Sequence, residues 1–262
     1  MNPLAFSTLA CPTWTFDRIL QAAQEYGYQA LELRGLQDEM DLPYAEPFTS
    51  ANRNATRQRV EDAGLSICCV SSSGIVANAN LDHVKRHAEL AHDLGCPIVR
   101  VFGGKLPEEL PHAEAVSNAA ATLRSFGDAA QEAHVSIVLE THDSFSKGEQ
   151  VAELLNATQH PAVFSLWDLH HPYRQGETPE TTYNYLKSSL RYVHVKDSKD
   201  GVYTLMGEGD VPLEPMLKLV LDGGYTGPLS VEWEKRWHPT IADPETALPQ
   251  YAKALRAYME QH

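Results

Sequence analysis

The chain has 262 residues, 43% of them hydrophobic, which is enough for one large α/β core. A formal charge of −14 disfavours a nucleic-acid partner, because phosphates attract lysine and arginine. Four cysteines with no C-x-x-C pair rule out a disulfide scaffold and predict reduced thiols in a cytoplasmic protein. No apolar run reaches the roughly 18 residues of a membrane span, and the amino end lacks the basic and apolar regions of a signal peptide.

Strand-like and helix-like segments alternate from the start. Residues 4–10 read as a first strand, and a helix over 17–26 is stopped by Gly27. A second strand over 30–34 leads into a long acidic and proline-containing loop up to residue 48. Helices over 50–63 and 81–94 flank a third strand over 65–73, and the fourth strand covers 97–104. A long alanine-rich helix, 113–133, precedes the run Ser136 to Asp143, SIVLETHD.

That run sets the pattern of the second half. Apolar residues lead straight into Glu140, Thr141, His142 and Asp143, and the design recurs in FSLWDLHHP, RYVHVKDS and LSVEWE. A short apolar run bounded by turn formers reads as a strand buried on both faces. Helical patterns over 148–157, 178–188 and 213–221 separate these strands, and a last helix covers 244–261. Eight strands, each followed by a helix, predict a single closed (β/α)8 TIM barrel forming one domain over 1–262. An open doubly wound sheet is the competing architecture, but no G-x-G-x-x-G follows the first strand.

In such a barrel the active site lies at the carboxyl ends of the strands. Glu140, Asp168, His194 and Glu232 each end a different one of the last four strands, so their side chains can converge. Three convergent carboxylates repel one another unless a cation is present. Carboxylate oxygens with one imidazole and no thiolate suit Mn²⁺, Mg²⁺ or Co²⁺, and also admit Zn²⁺. His142 shares a side with Glu140, and Lys196 shares one with His194 nearer the mouth, where a cation can meet a substrate hydroxyl. Pairing of Lys196 with Asp197 or Glu208 is its alternative use. Glu32 and Arg100 read as inward ion-pairing residues, with Arg34 on the same side as Glu32. Trp14 and Trp237, in loops after strands, are candidate walls of a sugar pocket.

The chain resembles the xylose isomerase-like barrel family of sugar and sugar-phosphate isomerases and epimerases. The superfamily also holds inosose and dehydroshikimate dehydratases and an endonuclease branch. VLETH, WDLHH, HVKD, VEWE and the loop Gly207-Glu208-Gly209 carry the resemblance, together with VRVFGG. It implies Glu140, Asp168, His194 and Glu232 as ligands of one divalent metal ion and His171 as a substrate-binding or outer-shell imidazole. It further implies Glu140 and Glu232 as catalytic acid and base that move a proton beside a ketone through an enediolate. The expected activity is a metal-dependent isomerase or epimerase of a ketose, sugar phosphate or related polyhydroxy carbonyl compound. A dehydratase of an inosose- or dehydroshikimate-like substrate is the alternative, because dehydration starts with the same proton abstraction, and a homodimer is compatible with either. Ketose 3-epimerases that resemble the chain carry a glutamate six residues after the first ligand, where this chain has Ser146. The endonuclease branch uses extra histidines on the third and fourth strands, which end here in VSSSG and VFGGK. One metal and a small-molecule substrate are therefore expected.

Overall fold

A computed structural model describes residues 2–261. Eight parallel strands close into a barrel, in the order β1 (Leu4–Ser7), β2 (Ala30–Leu33), β3 (Ser66–Ile75), β4 (Ile98–Phe102), β5 (Ser136–Glu140), β6 (Val163–Asp168), β7 (Leu190–Val195) and finally Leu229–Val231, which returns to β1. The stretch between β7 and that last strand adds an antiparallel hairpin, β8 (Asp197–Lys199) and β9 (Val202–Thr204), so the closing strand is β10. Eight helices lie outside: α1 (Phe16–Tyr26), α2 (Arg53–Asp62), α3 (Leu81–Asp93), α4 (His112–Glu132), α5 (Gly148–Thr158), then α7 (Pro179–Leu186), α8 (Leu213–Asp222) and α9 (Pro244–Gln261), with the short α6 (His170–Arg174) at the end of β6. None of the described helices is long and apolar enough to cross a membrane.

Strand alternation explains how this barrel can be greasy outside and charged within. Successive side chains of a strand point to opposite faces. The outward set, including Phe6, Leu31, Val99, Val101, Ile137, Leu139, Trp167, Val193 and Val231, is buried under the helices in one continuous core. The inward set begins at the amino ends with a small apolar layer of Ala5, Ala30, Cys69, Val138, Leu166 and Tyr192. One inward step further along each strand the residues are Glu32, Arg100, Glu140, Asp168, His194 and Ser230, all at most 1% exposed. The apolar plug therefore supports a charged layer at the carboxyl ends.

The boundaries differ from the pattern-based expectation where local hydrogen bonds intervene. The first strand stops at Ser7 and passes into a 3-10 turn over Thr8–Ala10, with the Cys11 N–H on the Thr8 carbonyl. Helix α2 starts at Arg53, because Pro47 holds a separate turn over Glu46–Phe48. Thr178 caps α7 through the N–H of Thr181 at 3.3 Å, as serine and threonine do at helix starts. Gly27 does end α1, with φ of +75°, a region that only glycine enters without strain.

Candidate metal centre

Glu140, Asp168, His194 and Glu232 meet at the carboxyl ends of four neighbouring strands. Asp168 and His194 are directly paired in register, and His194 in turn pairs with Ser230, two residues before Glu232. His194 Nδ1 lies 3.4 Å from Glu232 Oε2, 3.5 Å from Glu140 Oε1 and 3.8 Å from Asp168 Oδ2. Tetrahedral ligands on bonds of about 2.1 Å stand about 3.4 Å apart. The donor atoms are mutually within 4.8 Å, and Nδ1 of His194 has no hydrogen-bond partner although buried. Buried polar atoms without partners are rare, and a divalent cation satisfies all four residues at once. The residues present fit such an ion.

The other nitrogen of His194 explains its orientation. Nε2–H donates to the carboxylate of Glu32, 2.9 Å and 3.1 Å from the two oxygens. Glu32 also accepts from Ser71 at 2.6 Å, Ser230 at 2.7 Å and Tyr192 at 3.2 Å. A carboxylate behind a ligating imidazole fixes its tautomer and aims its free nitrogen at the metal. Burial opposes the charge on Glu32, yet the His194 ring and the hydroxyl donors hold it down to about 2. Burial likewise opposes protonation of His194, but Glu232 and Glu32 raise it well above its ordinary value, so a proton and a metal ion compete for Nδ1.

Two cations balance the carboxylates. Arg100 Nε lies 3.3 Å from Glu140 Oε2, and its guanidinium stacks 3.8 Å from the Phe102 ring. Against the penalty of burial, Arg100 and His194 hold Glu140 below the usual carboxylate range. Lys196 Nζ sits 2.8 Å from Asp168 Oδ2, 2.6 Å from Glu232 Oε2 and 2.6 Å from Glu234 Oε1. The anticipated alternative partners of Lys196, Asp197 and Glu208, are thus replaced by these three. Asp197 instead accepts from the N–H groups of Gly207 and Gly209, at 2.8 Å and 3.1 Å, and so secures the Gly207-Glu208-Gly209 loop. Burial pushes the Glu232 carboxyl up to about 7, and His194 and Lys196 only partly offset this.

Around this group, His171 Nε2 lies 3.7 Å from Asp168 Oδ2, and the His142 ring meets the His171 ring edge-on at 4.8 Å and the Phe102 ring at 4.7 Å. His142 Nδ1 also faces Asp143 at 3.1 Å. Trp14 is packed into the outer core with Arg18 over its ring, at 4.7 Å. Trp237 is 49% exposed, with its backbone N–H on the Glu234 carbonyl, which places it on the turn just past Glu232. Neither tryptophan has a polar or ring contact with the four ligands among the described residues. Glu234 and Tyr203, whose hydroxyl donates to Glu234 at 2.9 Å, were not anticipated. The V-E-W-E spacing contains the signal for Glu234, since it shares a strand side with Glu232; Tyr203 comes from an unforeseen hairpin.

A second cluster, Asp41, His83 and His87, lies on α3 and the loop after β2. His83 Nε2 accepts from the Ser73 N–H at 3.1 Å, which leaves its proton on Nδ1, 3.6 Å from Asp41, and Arg86 also reaches Asp41 at 3.1 Å. This reads as an ion-pair network. Burial, with the His83 ring adding, pulls the fully buried His87 down to about 4. The unfolded chain then binds a proton near pH 6.5 that the folded chain refuses, so stability falls as pH drops through 6.5 and the loss levels off near 4. The effect is of order 3 kcal/mol. His87→Gln is expected to be less stable at pH 7 but to lose less on acidification, as read from thermal unfolding between pH 7 and 4; equal acid sensitivity would remove His87 from the account.

The family described as xylose isomerase-like TIM barrel matches residues 20–258. A relative from Geobacillus kaustophilus, an inosose dehydratase, is 23% identical over 282 residues, covering 95% of this chain and 87% of that protein. An L-ribulose 3-epimerase superposes with a TM-score of 0.82 at 15% identity, covering 100% of this chain and 95% of that one. The IOLI protein, crystallised with a zinc atom, gives 0.81 at 17% identity, covering 99% and 98%. At such identities the structural likenesses establish the fold.

Proposed function

The chain belongs to the xylose isomerase-like TIM barrel family, and from that premise we propose that it is a metal-dependent dehydratase of a cyclic polyhydroxy ketone, of the inosose or dehydroshikimate kind. The observation that carries this reading is the set of three carboxylates around the free nitrogen of a carboxylate-backed histidine. The bacterial relative described as an inosose dehydratase favours loss of water over epimerisation, which reverses the order of expectation drawn from the sequence. Position 146 agrees. Ser146 donates to the Asp143 carbonyl at 2.6 Å and so serves its own turn, where the resembling ketose epimerases have a carboxylate.

A divalent ion bound by Glu140, Asp168, His194 and Glu232 supplies positive charge that polarises the ketone oxygen; manganese, magnesium, cobalt and zinc all suit the donors. Glu232 and Glu140 stand on different strands, so one carboxylate can take the proton beside the ketone. The electron pair left on carbon forms the double bond as the β-hydroxyl departs, taking the proton that makes it water from the other carboxyl group. Glu232, pushed up to about 7 by burial, can carry that proton, while Lys196, held charged by Asp168, Glu232 and Glu234, stays an ammonium beside it. His142 and His171 flank the same space and are positioned for substrate hydroxyls. Reduced, buried thiols at all four cysteines fit a cytoplasmic setting.

The test is incubation of metal-loaded protein with scyllo-inosose, 3-dehydroshikimate and a panel of ketoses. An ultraviolet-absorbing unsaturated product is expected from a cyclic ketone. A new ketose with no absorbing product would replace this reading with epimerisation. Treatment with EDTA should abolish turnover and readdition of Mn²⁺ or Zn²⁺ restore it, with one ion per chain by elemental analysis; undiminished turnover in metal-free protein would defeat the proposal.

A further inference from the structure

We propose that Arg34 forms an anion-binding subsite at the barrel mouth and that the substrate carries a carboxylate there, an inference that rests on the dehydratase reading and narrows its substrate class. Arg34 follows β2 on the inward side, one alternation step past Glu32 and so nearer the mouth. Every other buried cation of the charged layer has its carboxylate: Arg100 has Glu140, Lys196 has Asp168, Glu232 and Glu234, and His194 has Glu32. Arg34 has none. It is 8% exposed, and no carboxylate oxygen among the described residues comes within 4.0 Å of its guanidinium.

Among the described residues its only side-chain hydrogen bond runs from Nη1 to Ser73 Oγ at 3.0 Å, which leaves four of the five guanidinium N–H donors for something else. Burying an unpaired charge is costly, so the arrangement makes sense if the partner arrives with the ligand. Burial draws its ionisation down only to about 9, so it is charged at neutral pH. A guanidinium with free donors matches the two oxygens of a carboxylate in a fork. Phe102, whose ring centre lies 5.9 Å from the Arg34 carbon and 4.7 Å from the His142 ring, is an apolar neighbour beside the cation, with Arg100 already stacked on its ring at 3.8 Å. The surrounding carboxylates favour a monoanion over a phosphate dianion.

Two arms test this separately from the reaction. In calorimetric titrations of the metal-loaded protein, shikimate, a carboxylated cyclic polyol that need not react, is expected to bind at least about tenfold tighter than neutral myo-inositol, in line with one charge-assisted pair. Arg34→Met should erase that difference and Arg34→Lys keep part of it. Because Arg34→Met removes an unpaired buried charge, its thermal midpoint should equal or exceed the wild-type value. In turnover, the ratio of kcat/KM for 3-dehydroshikimate over scyllo-inosose should fall about 100-fold in Arg34→Met, mostly through KM. The subsite is overturned if shikimate shows no preference, if the variant weakens both ligands alike with a lowered midpoint, or if ribulose 5-phosphate is the only ligand whose binding depends on Arg34. Loss of turnover with every cyclic ketone would strike the dehydratase reading while the binding arm still decided the subsite.

Discussion

Glu140→Ala is expected to abolish metal-dependent turnover and to destabilise the protein by about 3–5 kcal/mol, the usual cost of leaving half of a buried ion pair behind. Two effects separate here. Glu140 is one of four donors and a candidate proton acceptor, and loss of an acid–base group alone costs about 10²–10⁴ in rate. Among the described residues it is also the only carboxylate within ion-pairing reach of Arg100, whose side chain is 1% exposed. Removing Glu140 does relieve repulsion from Asp168 and Glu232, but Lys196 already sits within 2.8 Å of both, so the stranded guanidinium dominates. Urea unfolding in EDTA reads the protein term without the metal. Glu140→Gln keeps the shape and should lose activity with a smaller stability deficit, and Arg100→Met in the Glu140→Ala background should recover stability but no activity. An Ala variant as stable as wild type in EDTA would show that the pair does not hold the charged layer together.

Glu32→Leu carries the second large effect. Four donors converge on that carboxylate, from His194, Ser71, Tyr192 and Ser230; Leu would leave His194 and Ser230 without this acceptor and Ser71 and Tyr192 with only the weak sulfur partners Cys69 and Cys68, at 3.5 Å and 3.1 Å. Each stranded donor costs about 1–3 kcal/mol, so the variant is expected to unfold or to accumulate as insoluble protein. The informative partner is Glu32→Gln, which fills the same space and still accepts one or two of these bonds. It removes the charge behind His194 and weakens the hold on its tautomer. Metal affinity is then expected to fall about 10–100-fold, the range seen when a carboxylate behind a ligating histidine is lost. Competition with a chromophoric chelator measures it, with circular dichroism confirming the fold. Unchanged affinity in Glu32→Gln would make the residue a packing element and no more.

Much of this protein can be read without coordinates. Period-two alternation, helix stops such as Gly27, and the regular return of strand and helix are local properties of the chain, so barrel architecture follows from them. The charged strand ends Glu140, Asp168, His194 and Glu232 are legible for the same reason. Parallel topology puts all carboxyl ends on one face, and consecutive strands are neighbours. Lys196 and His142 followed by parity with those residues.

Pairing is what tertiary structure decided. That Glu32 stands behind His194, 162 positions away, depends on how the barrel closes β2 onto the far strands, which no local pattern encodes. The same closure gives Lys196 its three carboxylates and Arg100 its one, and leaves Arg34 with none. Composition and spacing determine which groups reach the mouth of the barrel, because alternation and strand direction act over a few residues. Which group neutralises which is a matter of a few ångströms across the cylinder, where electrostatic energy changes steeply with distance and burial, and only the closed fold sets those distances.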